Sequence, residues 1–130
     1  WPNDLLVFRR KLAGLLPRII YRGGTPRLAC IGIGMNVFNP VPVGGIALAE
    51  ILNSKCFSLA HWTVQVLLSL ESAMEFSNEN NTLCSQVEQR LWADEVIDPH
   101  TGETWLVEGL DSNGGLKLKR GSEKVIWTRW

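Results

Sequence analysis

The sequence has few of the residues from which disulfide frameworks, metal sites or strongly charged surfaces are built. Its 130 residues include three cysteines, Cys30, Cys56 and Cys84, an odd number without the close spacing of metal ligands. This pattern favours reduced thiols, and we expect a cytoplasmic location. Basic and acidic residues number 13 each, so the net charge of zero predicts no binding to nucleic acid or to an anionic membrane.

Long apolar runs are also absent. No segment reaches the roughly 18 apolar residues of a membrane span. Residues 59–70 come closest, but His61, Thr63 and Gln65 interrupt them. Residues 1–4 (WPND) lack the basic and then apolar pattern of a signal peptide, and there is no initiator methionine. We therefore expect no membrane association, and a first residue that is not a natural start.

The first 40 residues predict three strands separated by turns. The apolar runs are 5–8, 12–21 and 28–37, and a turn at 22–26 separates the last two. Pro17 cannot donate to a sheet ladder, so it predicts a sheet edge or a bulge. The run 28–37 is apolar almost throughout, which is typical of a strand covered on both faces. We therefore expect a sheet that packs against helices.

The middle of the chain predicts helices. After a loop at 39–45, apolar residues at 46–52 recur at helical spacing. A longer helix should begin after an N-cap at Ser58. Its apolar stripe comprises Leu59, Trp62, Val66, Leu70, Ala73 and Met74. A shorter helix should follow a cap at Thr82, and His61 is expected to be a structural residue.

From Trp92 onward the pattern changes to that of short strands. Residues 105–110, 116–119 and 125–127 are the candidates, with a strong hairpin signal at 111–115 (DSNGG). Strands this short and closely spaced predict a small SH3-like β-barrel. We therefore expect an α+β fold with a boundary near residue 90, giving domains 1–90 and 91–130. Four tryptophans are expected to anchor the core or the barrel, namely Trp62, Trp92, Trp105 and Trp127.

Two charged residues in the first strands are candidates for chemistry. Asp4 is a candidate Mg²⁺ ligand, because this cation binds one or two carboxylates together with phosphate oxygens. Lys11 is a candidate to neutralise a phosphate or a carboxylate. Each also has a simpler interpretation. Asn3 and Asp4 can form an ordinary turn, and Lys11 can belong to a solvated basic cluster with its neighbours.

Gly32 and Gly34 indicate a close approach to the backbone. They alternate with isoleucines inside a predicted strand, where glycine is unfavourable unless something must approach closely. A flat ligand or a tightly packed helix would explain them about equally well. Asn36 follows at the same period, and its amide can both donate to and accept from a base. The spacing is not that of a dinucleotide-binding fingerprint.

Taken in order, these segments resemble the biotin–protein ligases of the bacterial type. The motifs are WPND at 1–4, KLAG at 11–14, GIGMNV at 32–37, a proline-rich loop with two helices, and GLDSNGGL at 109–116. The resemblance implies part of a class II aminoacyl-tRNA-synthetase-like catalytic domain followed by an SH3-like barrel. It also implies the family's substrates, ATP and biotin with Mg²⁺. Biotin would attack the α-phosphate of ATP, and the biotinyl-5′-adenylate formed would acylate a lysine of the biotin carboxyl carrier protein.

The resemblance assigns roles to the matched residues. Lys11 would be catalytic and would contact the biotin carboxylate and the bridging phosphate. Asn3 and Asp4 would lie on the adenylate side, with Asp4 the candidate Mg²⁺ ligand. The remaining members of the predicted substrate site are Gly14 beside biotin, Gly32 and Gly34 under the ligand, and Asn36 at the adenine end.

The sequence also departs from the family pattern. Pro17-Arg18 stands where the family has a small aliphatic and an acidic residue. The family's glycine- and arginine-rich loop, upstream of WPND, is not in this chain, so we expect an incomplete and inactive catalytic unit prone to self-association. Two alternatives stay open, a non-catalytic ligand-binding or interaction module and a lipoate ligase relative. The GLDSNGGL segment argues against the second.

Overall fold

The computed structural model describes residues 3–53, 58–75 and 80–128, and at residues 80 and 81 it describes the backbone alone. Trp1 and Pro2 of the WPND motif and the thiol of Cys56 lie outside these ranges. The chain divides into two compact units, Trp1–Val64 and Gln65–Trp130. Both contain helix and antiparallel sheet, which confirms the α+β class. The predicted boundary near residue 90 stays a prediction.

The first unit is built on a three-stranded antiparallel sheet. Its strands are β1 (Asp4–Val7), β2 (Arg10–Arg22) and β3 (Thr25–Met35), in the order β1-β2-β3. All three strands were predicted. Gly23 and Gly24 join β2 to β3 with φ of 57° and 78°, the left-handed pair that a tight two-residue hairpin requires.

Pro17 lies where β2 is an edge strand. β1 pairs only with residues 10–14 of β2, so the same side of β2 has no neighbour at Pro17 among the described residues. The Leu15 N–H donates to the Asn3 carbonyl at 2.7 Å, and alternation directs the nitrogen of Pro17 to that same outer side. Its missing donor therefore breaks no ladder bond, as predicted for an edge.

The expectation that β3 would be covered on both faces is wrong for this chain. Leu28 and Ile31 are 54% and 47% exposed, and most of the strand is accessible to solvent. Among the described residues, β2 is the only strand that pairs with β3. An apolar sequence indicates that a strand tends to be buried. It does not show whether the described residues include the elements that would pack on that strand.

The core of the first unit lies at one end of the sheet. After β3, the backbone runs beside the loop at 44–48, with hydrogen bonds from Leu48 N to Asn36 O and from Ala49 N to Val37 O, both 2.9 Å. The buried apolar side chains gather there: Ala13, Val37, Ile46, Ala47 and Leu48. The end of the sheet next to the loop before α1 is therefore held by both hydrogen bonds and buried side chains.

Among the described residues, three helices follow the sheet: α1 (Leu48–Ile51), α2 (Leu59–Glu75) and α3 (Asn80–Glu88). The Ser58 hydroxyl accepts from the His61 N–H at 3.3 Å, which confirms the predicted cap of α2. α3 begins before its predicted cap. No residue of α2 is buried, and of its stripe only Trp62, Val66 and Leu70 are partly covered. His61 is exposed, and its ring packs edge-on against Trp62, so its structural role stays a prediction.

The second unit contains a four-stranded antiparallel sheet. Its strands are β4 (Glu95–Ile97), β5 (Thr104–Leu110), β6 (Leu116–Arg120) and β7 (Glu123–Trp127), each paired with its neighbour in sequence. The predicted hairpin is confirmed. The Asp111 carboxylate accepts from the N–H groups of Asn113 and Gly115 at 2.9 and 2.6 Å. Leu116 and Leu118 alternate into the core and are nearly inaccessible.

In the described part of the chain this sheet is open, since β4 and β7 are its edges. The SH3-like barrel is therefore not confirmed. Of the predicted tryptophan anchors, Trp105 is buried and lies 6.5 Å from the Trp127 ring, whereas Trp92 is 58% exposed and is not an anchor. The exposed β4–β5 turn contains His100, as predicted.

In the second unit, a carboxylate at the end of α3 forms a hydrogen bond with the backbone of β5. Glu88, the last residue of α3, accepts a hydrogen bond from the Leu110 N–H at 2.5 Å. The ladder between β5 and β6 is irregular at this point, and Gly109 has a φ of 128°. A methyl group on Gly109 would lie 2.5 Å from the Glu88 oxygen, so glycine is required for this approach.

Candidate functional site

Lys11 and Asp4 form an ion pair on one face of the first sheet. The Lys11 Nζ lies 2.7 Å from the Asp4 Oδ1, and each side chain is about half exposed, at 51% and 48%. Gly14 lies directly beside the pair, because a methyl group built on it would be 3.5 Å from both charged atoms. Three of the predicted site residues are therefore brought together.

A β-bulge determines which face Lys11 occupies. Leu5 is paired with Ala13 but Leu6 is paired with Lys11, so Leu12 is an extra residue on β2. In a regular strand, residues 11 and 14 would point to opposite faces. The extra residue reverses the alternation once and directs the Lys11 ammonium to the face of Gly14.

Gly32 and Gly34 lie on that same face. Gly14 is paired with Gly34, and Leu16 with Gly32, so these residues share one side of the β2–β3 ladder. A methyl group on Gly34 would meet no atom within 4 Å, and one on Gly32 would meet only Leu16 at ordinary contact distance. The three glycines therefore form an open backbone surface next to the ammonium, and we call this surface, Gly14, Gly32 and Gly34, the glycine face.

The backbone of Lys11 is held by the loop before α1. Its N–H donates to the Gly44 carbonyl at 2.8 Å, and its carbonyl accepts from the Ile46 N–H at 3.0 Å. Gly45 between them is buried, and a methyl group there would lie 3.0 Å from the Val41 Cβ. The proline- and glycine-rich loop thus fixes the strand from which the ammonium projects.

Asn36 is engaged differently from its predicted role. Its amide nitrogen donates to the Lys11 carbonyl at 3.3 Å, and its amide oxygen accepts from the side chain of Asn39 at 3.0 Å. In this arrangement Asn36 connects the end of β3 to β2 and to the following loop. Contact of its amide with an adenine stays a prediction. Asn3 is exposed, and its carbonyl is the group that contacts β2.

Sequence reasoning missed the role of Arg10. Its guanidinium donates through Nε to the Gly45 carbonyl at 2.8 Å and forms a two-pronged ion pair with Glu50. The 40-residue separation left no local signal for this contact. It ties α1 and the loop to the residue next to Lys11, so Arg10 does not belong to a solvated cluster.

The site suits a Mg²⁺ ion only in part. The described residues contain no group of three or more acidic, histidine or cysteine side chains that would hold a metal by themselves. Asp4 offers a single carboxylate, which is enough when phosphate oxygens supply further ligands. One of its oxygens already faces the Lys11 ammonium. Asp4 therefore fits as one ligand of a nucleotide-bound cation, and not as a metal site of its own.

Comparison with known proteins gives one consistent result. No family model matches the chain. Among solved structures, the apo form of biotin protein ligase from Aquifex aeolicus superposes with a TM-score of 0.80 at 22% sequence identity over 99% of this chain. The chain has the fold of part of a biotin protein ligase. The complex of the Aquifex ligase with biotin and ATP superposes with a TM-score of 0.76 at 20% identity over 97% of the chain.

The likeness to biotin protein ligase covers a limited share of that enzyme. The chain spans 61% of the apo ligase chain and 56% of the liganded one. The resemblance that the motifs indicated is thus confirmed at the level of the fold.

No described helix combines the length and the apolar character needed to cross a membrane. Cys30 and Cys84 are free thiols, in agreement with the prediction for these two cysteines.

Proposed function

We propose that the protein activates biotin with ATP, through biotinyl-5′-adenylate, and transfers it to a lysine of a biotin carboxyl carrier protein. The observation that supports this most directly is the bulge at Leu12, which brings the Lys11 ammonium to the glycine face. A cation beside bare backbone suits an anionic, flat ligand. The ligase fold, solved elsewhere with biotin and ATP, supports the same ligand class.

The proposed chemistry needs a fixed positive charge more than it needs an acid or a base. When a carboxylate attacks the α-phosphate, negative charge develops on the phosphoryl oxygens and on the departing pyrophosphate. The Lys11 ammonium would stabilise this negative charge electrostatically. Hydrogen bonds to Gly44 and Ile46 already hold the Lys11 backbone, so the ammonium projects from a fixed point. ATP would bring bound Mg²⁺, which neutralises the phosphates, and Asp4 would provide one oxygen ligand for it.

The glycine face would bind the body of the ligand. An added side chain on Gly34 would project into open space over the sheet, where a ligand would otherwise lie against the backbone. The resemblance assigns Gly14 to biotin and Asn36 to the adenine end. We retain both as proposals, and for Asn36 this requires that the amide exchange its present partners or use its remaining donor and acceptor.

The test is biotin-dependent release of pyrophosphate from ATP by the full-length protein that contains this chain. We expect release to depend on both substrates and biotin to appear on the lysine of a carrier domain. Absence of any biotin-dependent signal would remove the proposal and favour the non-catalytic binding module. Activity with lipoate but not with biotin would favour the lipoate ligase relative. The 130-residue chain alone is expected to be inactive.

Further parts of the sequence-based interpretation remain proposals. These are the synthetase-like classification of the catalytic fold, closure of the second sheet into an SH3-like barrel, self-association and a cytoplasmic location. The second sheet carries four basic residues, Lys117, Lys119, Arg120 and Lys124. Three of these cations are paired with acids, Lys119 and Lys124 with Glu108, and Arg120 with Glu103 and Glu123. We therefore assign no phosphate contact to that face.

A further inference from the structure

Asn39, in the loop after β3, contacts the side-chain amide of Asn36 with its own. Its Nδ2 donates to the Asn36 Oδ1 at 3.0 Å and to the Pro40 carbonyl at 3.1 Å. Its Oδ1 accepts from the Val37 N–H at 3.2 Å. The sequence motifs give Asn39 no role, yet its hydrogen bonds end on a residue of the candidate site.

The backbone groups around Asn39 determine which way its amide points. The Val37 N–H can only donate and the Pro40 carbonyl can only accept. The oxygen of Asn39 must therefore face the first group, and its nitrogen must face the second. That nitrogen also faces Asn36 and can only donate, so the Asn36 atom that it meets must be the amide oxygen.

The other end of the Asn36 amide is constrained in the same way. The Lys11 carbonyl can only accept, so the Asn36 atom 3.3 Å from it must be the amide nitrogen. The Asn36 backbone is held as well, because its N–H donates to the Leu12 carbonyl and its carbonyl accepts from the Leu48 N–H, both at 2.9 Å. Turning the amide over would place its oxygen against the Lys11 carbonyl, so both of its ends favour the same orientation.

The Asn36 amide has one further donor and one further acceptor. A primary amide has two N–H groups and an oxygen with two lone pairs, and the hydrogen bonds to Lys11 and Asn39 use one of each. Asparagine recognises adenine by accepting from its N6 amine and donating to its N7. Guanine has an acceptor at O6 in place of that amine. An amide that cannot turn over therefore favours adenine over guanine.

This amide is joined to the residue that carries the ammonium of the candidate site. Asn36 stands two residues after Gly34, at the end of β3. It bonds to the backbone carbonyl of Lys11, whose Nζ lies beside Gly14. Recognition of the base and neutralisation of the phosphate would thus depend on one segment of β2, which ties the position of the adenine to that of the reacting phosphate.

We propose that Asn39 is a positioning residue that sets the nucleotide preference of the adenylation step, because it holds the Asn36 amide in the orientation that accepts adenine and rejects guanine. The inference rests on the proposed function, in which Asn36 lies at the adenine end of the ligand. It adds that Asn36 keeps its bonds to Lys11 and Asn39 when the nucleotide binds, and uses its further donor and acceptor for the base. Asn39 itself would not touch the nucleotide.

The test compares Asn39→Asp and Asn39→Ala in the full-length protein with a control, Asn53→Asp. A carboxylate at position 39 can still accept from Val37, but its second oxygen would lie against the Asn36 oxygen. Asn53→Asp adds the same charge at an exposed position after α1, where a φ of 46° suits both residue types. Biotin-dependent pyrophosphate release is measured with ATP and with GTP, and folding is followed by the melting temperature.

The measured quantity is the ratio of kcat/KM with ATP to kcat/KM with GTP. We expect this ratio to fall about tenfold in Asn39→Asp, the usual effect of misplacing one hydrogen bond, and less in Asn39→Ala. The added negative charge repels both triphosphates alike, so the ratio isolates recognition of the base. Asn53→Asp should keep the wild-type ratio. Melting temperatures should change by only a few degrees, because Asn39 is exposed.

A double-mutant cycle tests whether Asn39 acts through Asn36. Asn36→Ala should lower the ATP-to-GTP ratio at least as much as Asn39→Asp does. Adding Asn39→Asp to Asn36→Ala should lower it no further, because the amide that Asn39 orients is already gone. A residue that only stabilises the loop would not show this dependence.

Four outcomes would overturn the inference and leave the proposed function in place. An unchanged ratio in folded Asn39→Asp would show that Asn39 does not set the preference, and an unchanged ratio in Asn36→Ala would place base recognition elsewhere. A further fall in the double variant would show that Asn39 acts by another route. Equal losses with ATP and GTP, together with a lower melting temperature, would make Asn39 a structural residue. Absence of biotin-dependent release in wild type would instead remove the proposed function itself.

Discussion

The Lys11 Nζ lies 2.7 Å from the Asp4 Oδ1, on the face where β2 and β3 expose three glycines. Each charge is balanced by the other, yet both side chains stay about half exposed, so the pair can be reached by a ligand. An exposed ion pair of this kind contributes little to folding, about 0–1 kcal/mol. The pair therefore adds little to stability, and its part in ligand binding is what the proposed function puts to the test.

Replacing Lys11 should impair adenylation much more than folding. For Lys11→Ala in the full-length protein we expect biotin-dependent pyrophosphate release to fall roughly 100- to 1,000-fold, because a fixed positive charge at the reacting phosphate is lost. The melting temperature should change by only a few degrees. Arg10→Ala is the control, since it removes a structural ion pair and should lower the melting temperature instead. Equal destabilisation by both changes would make Lys11 a structural residue.

Adding a side chain to the glycine face should leave folding intact but should weaken the binding of biotin and ATP. Gly34→Val adds a β-branched residue to a strand in open space, so thermal stability should be unchanged or slightly higher. Biotin and ATP binding, measured by calorimetry, should weaken at least about tenfold, a loss of roughly 1.4 kcal/mol. Gly45→Ala should behave in the opposite way, with reduced stability from the contact with Val41. Undiminished ligand affinity in Gly34→Val would exclude the glycine face as the binding surface.

The Glu88 contact should be a major determinant of stability in the second unit. Glu88→Ala leaves the Leu110 N–H without its acceptor, and we expect a loss of about 1–3 kcal/mol in the free energy of unfolding. Gly109→Ala should be destabilising because of its positive φ and the approach of Glu88. In a double-mutant cycle by urea unfolding, the two effects should be strongly non-additive. Simple additivity would indicate that the two residues act independently.

The Glu108 carboxylate predicts a specific dependence of stability on pH. The hydrogen bond from Lys124 lowers the pKa of Glu108 below its ordinary value of 4.5, with smaller help from the charge of Lys119. A lowered folded-state pKa stabilises the protein above that ordinary value, and the benefit disappears as pH falls through the folded-state pKa. The melting temperature of wild type should therefore exceed that of Glu108→Gln at pH 7, and the difference should shrink as the pH falls below 4.5. A difference that is constant with pH would contradict this assignment.

Local sequence signals were sufficient for most elements. The three strands of the first unit, the cap at Ser58 and the hairpin at 111–115 each depend on neighbours within a few residues. Burial was harder to predict. The apolar run of β3 is largely exposed, and so is Trp92, because hydrophobic character does not say which partner surface is present.

The candidate site was predicted in its members but not in its geometry. The motif order identified Lys11 and the glycines, yet nothing local indicated that an extra residue at position 12 brings them to one face. The Arg10–Glu50 pair joins residues 40 apart, and the hydrogen bond from the Asn36 amide to the Lys11 carbonyl joins residues 25 apart. Such contacts follow from how the chain folds back on itself, so a single sequence does not reveal them.

The extra residue at Leu12 implies that the side on which the ammonium lies depends on how β1 pairs with β2, and not on chain length alone. Losing Leu12 would leave Lys11 two residues before Gly14, and regular alternation would keep both on the same face of the sheet. A change that removed the bulge at unchanged length, by shifting the register of β1, would instead turn the charge to the far side. Natural variants of this stretch should therefore tolerate loss of residue 12 better than loss of the bulge with all residues kept.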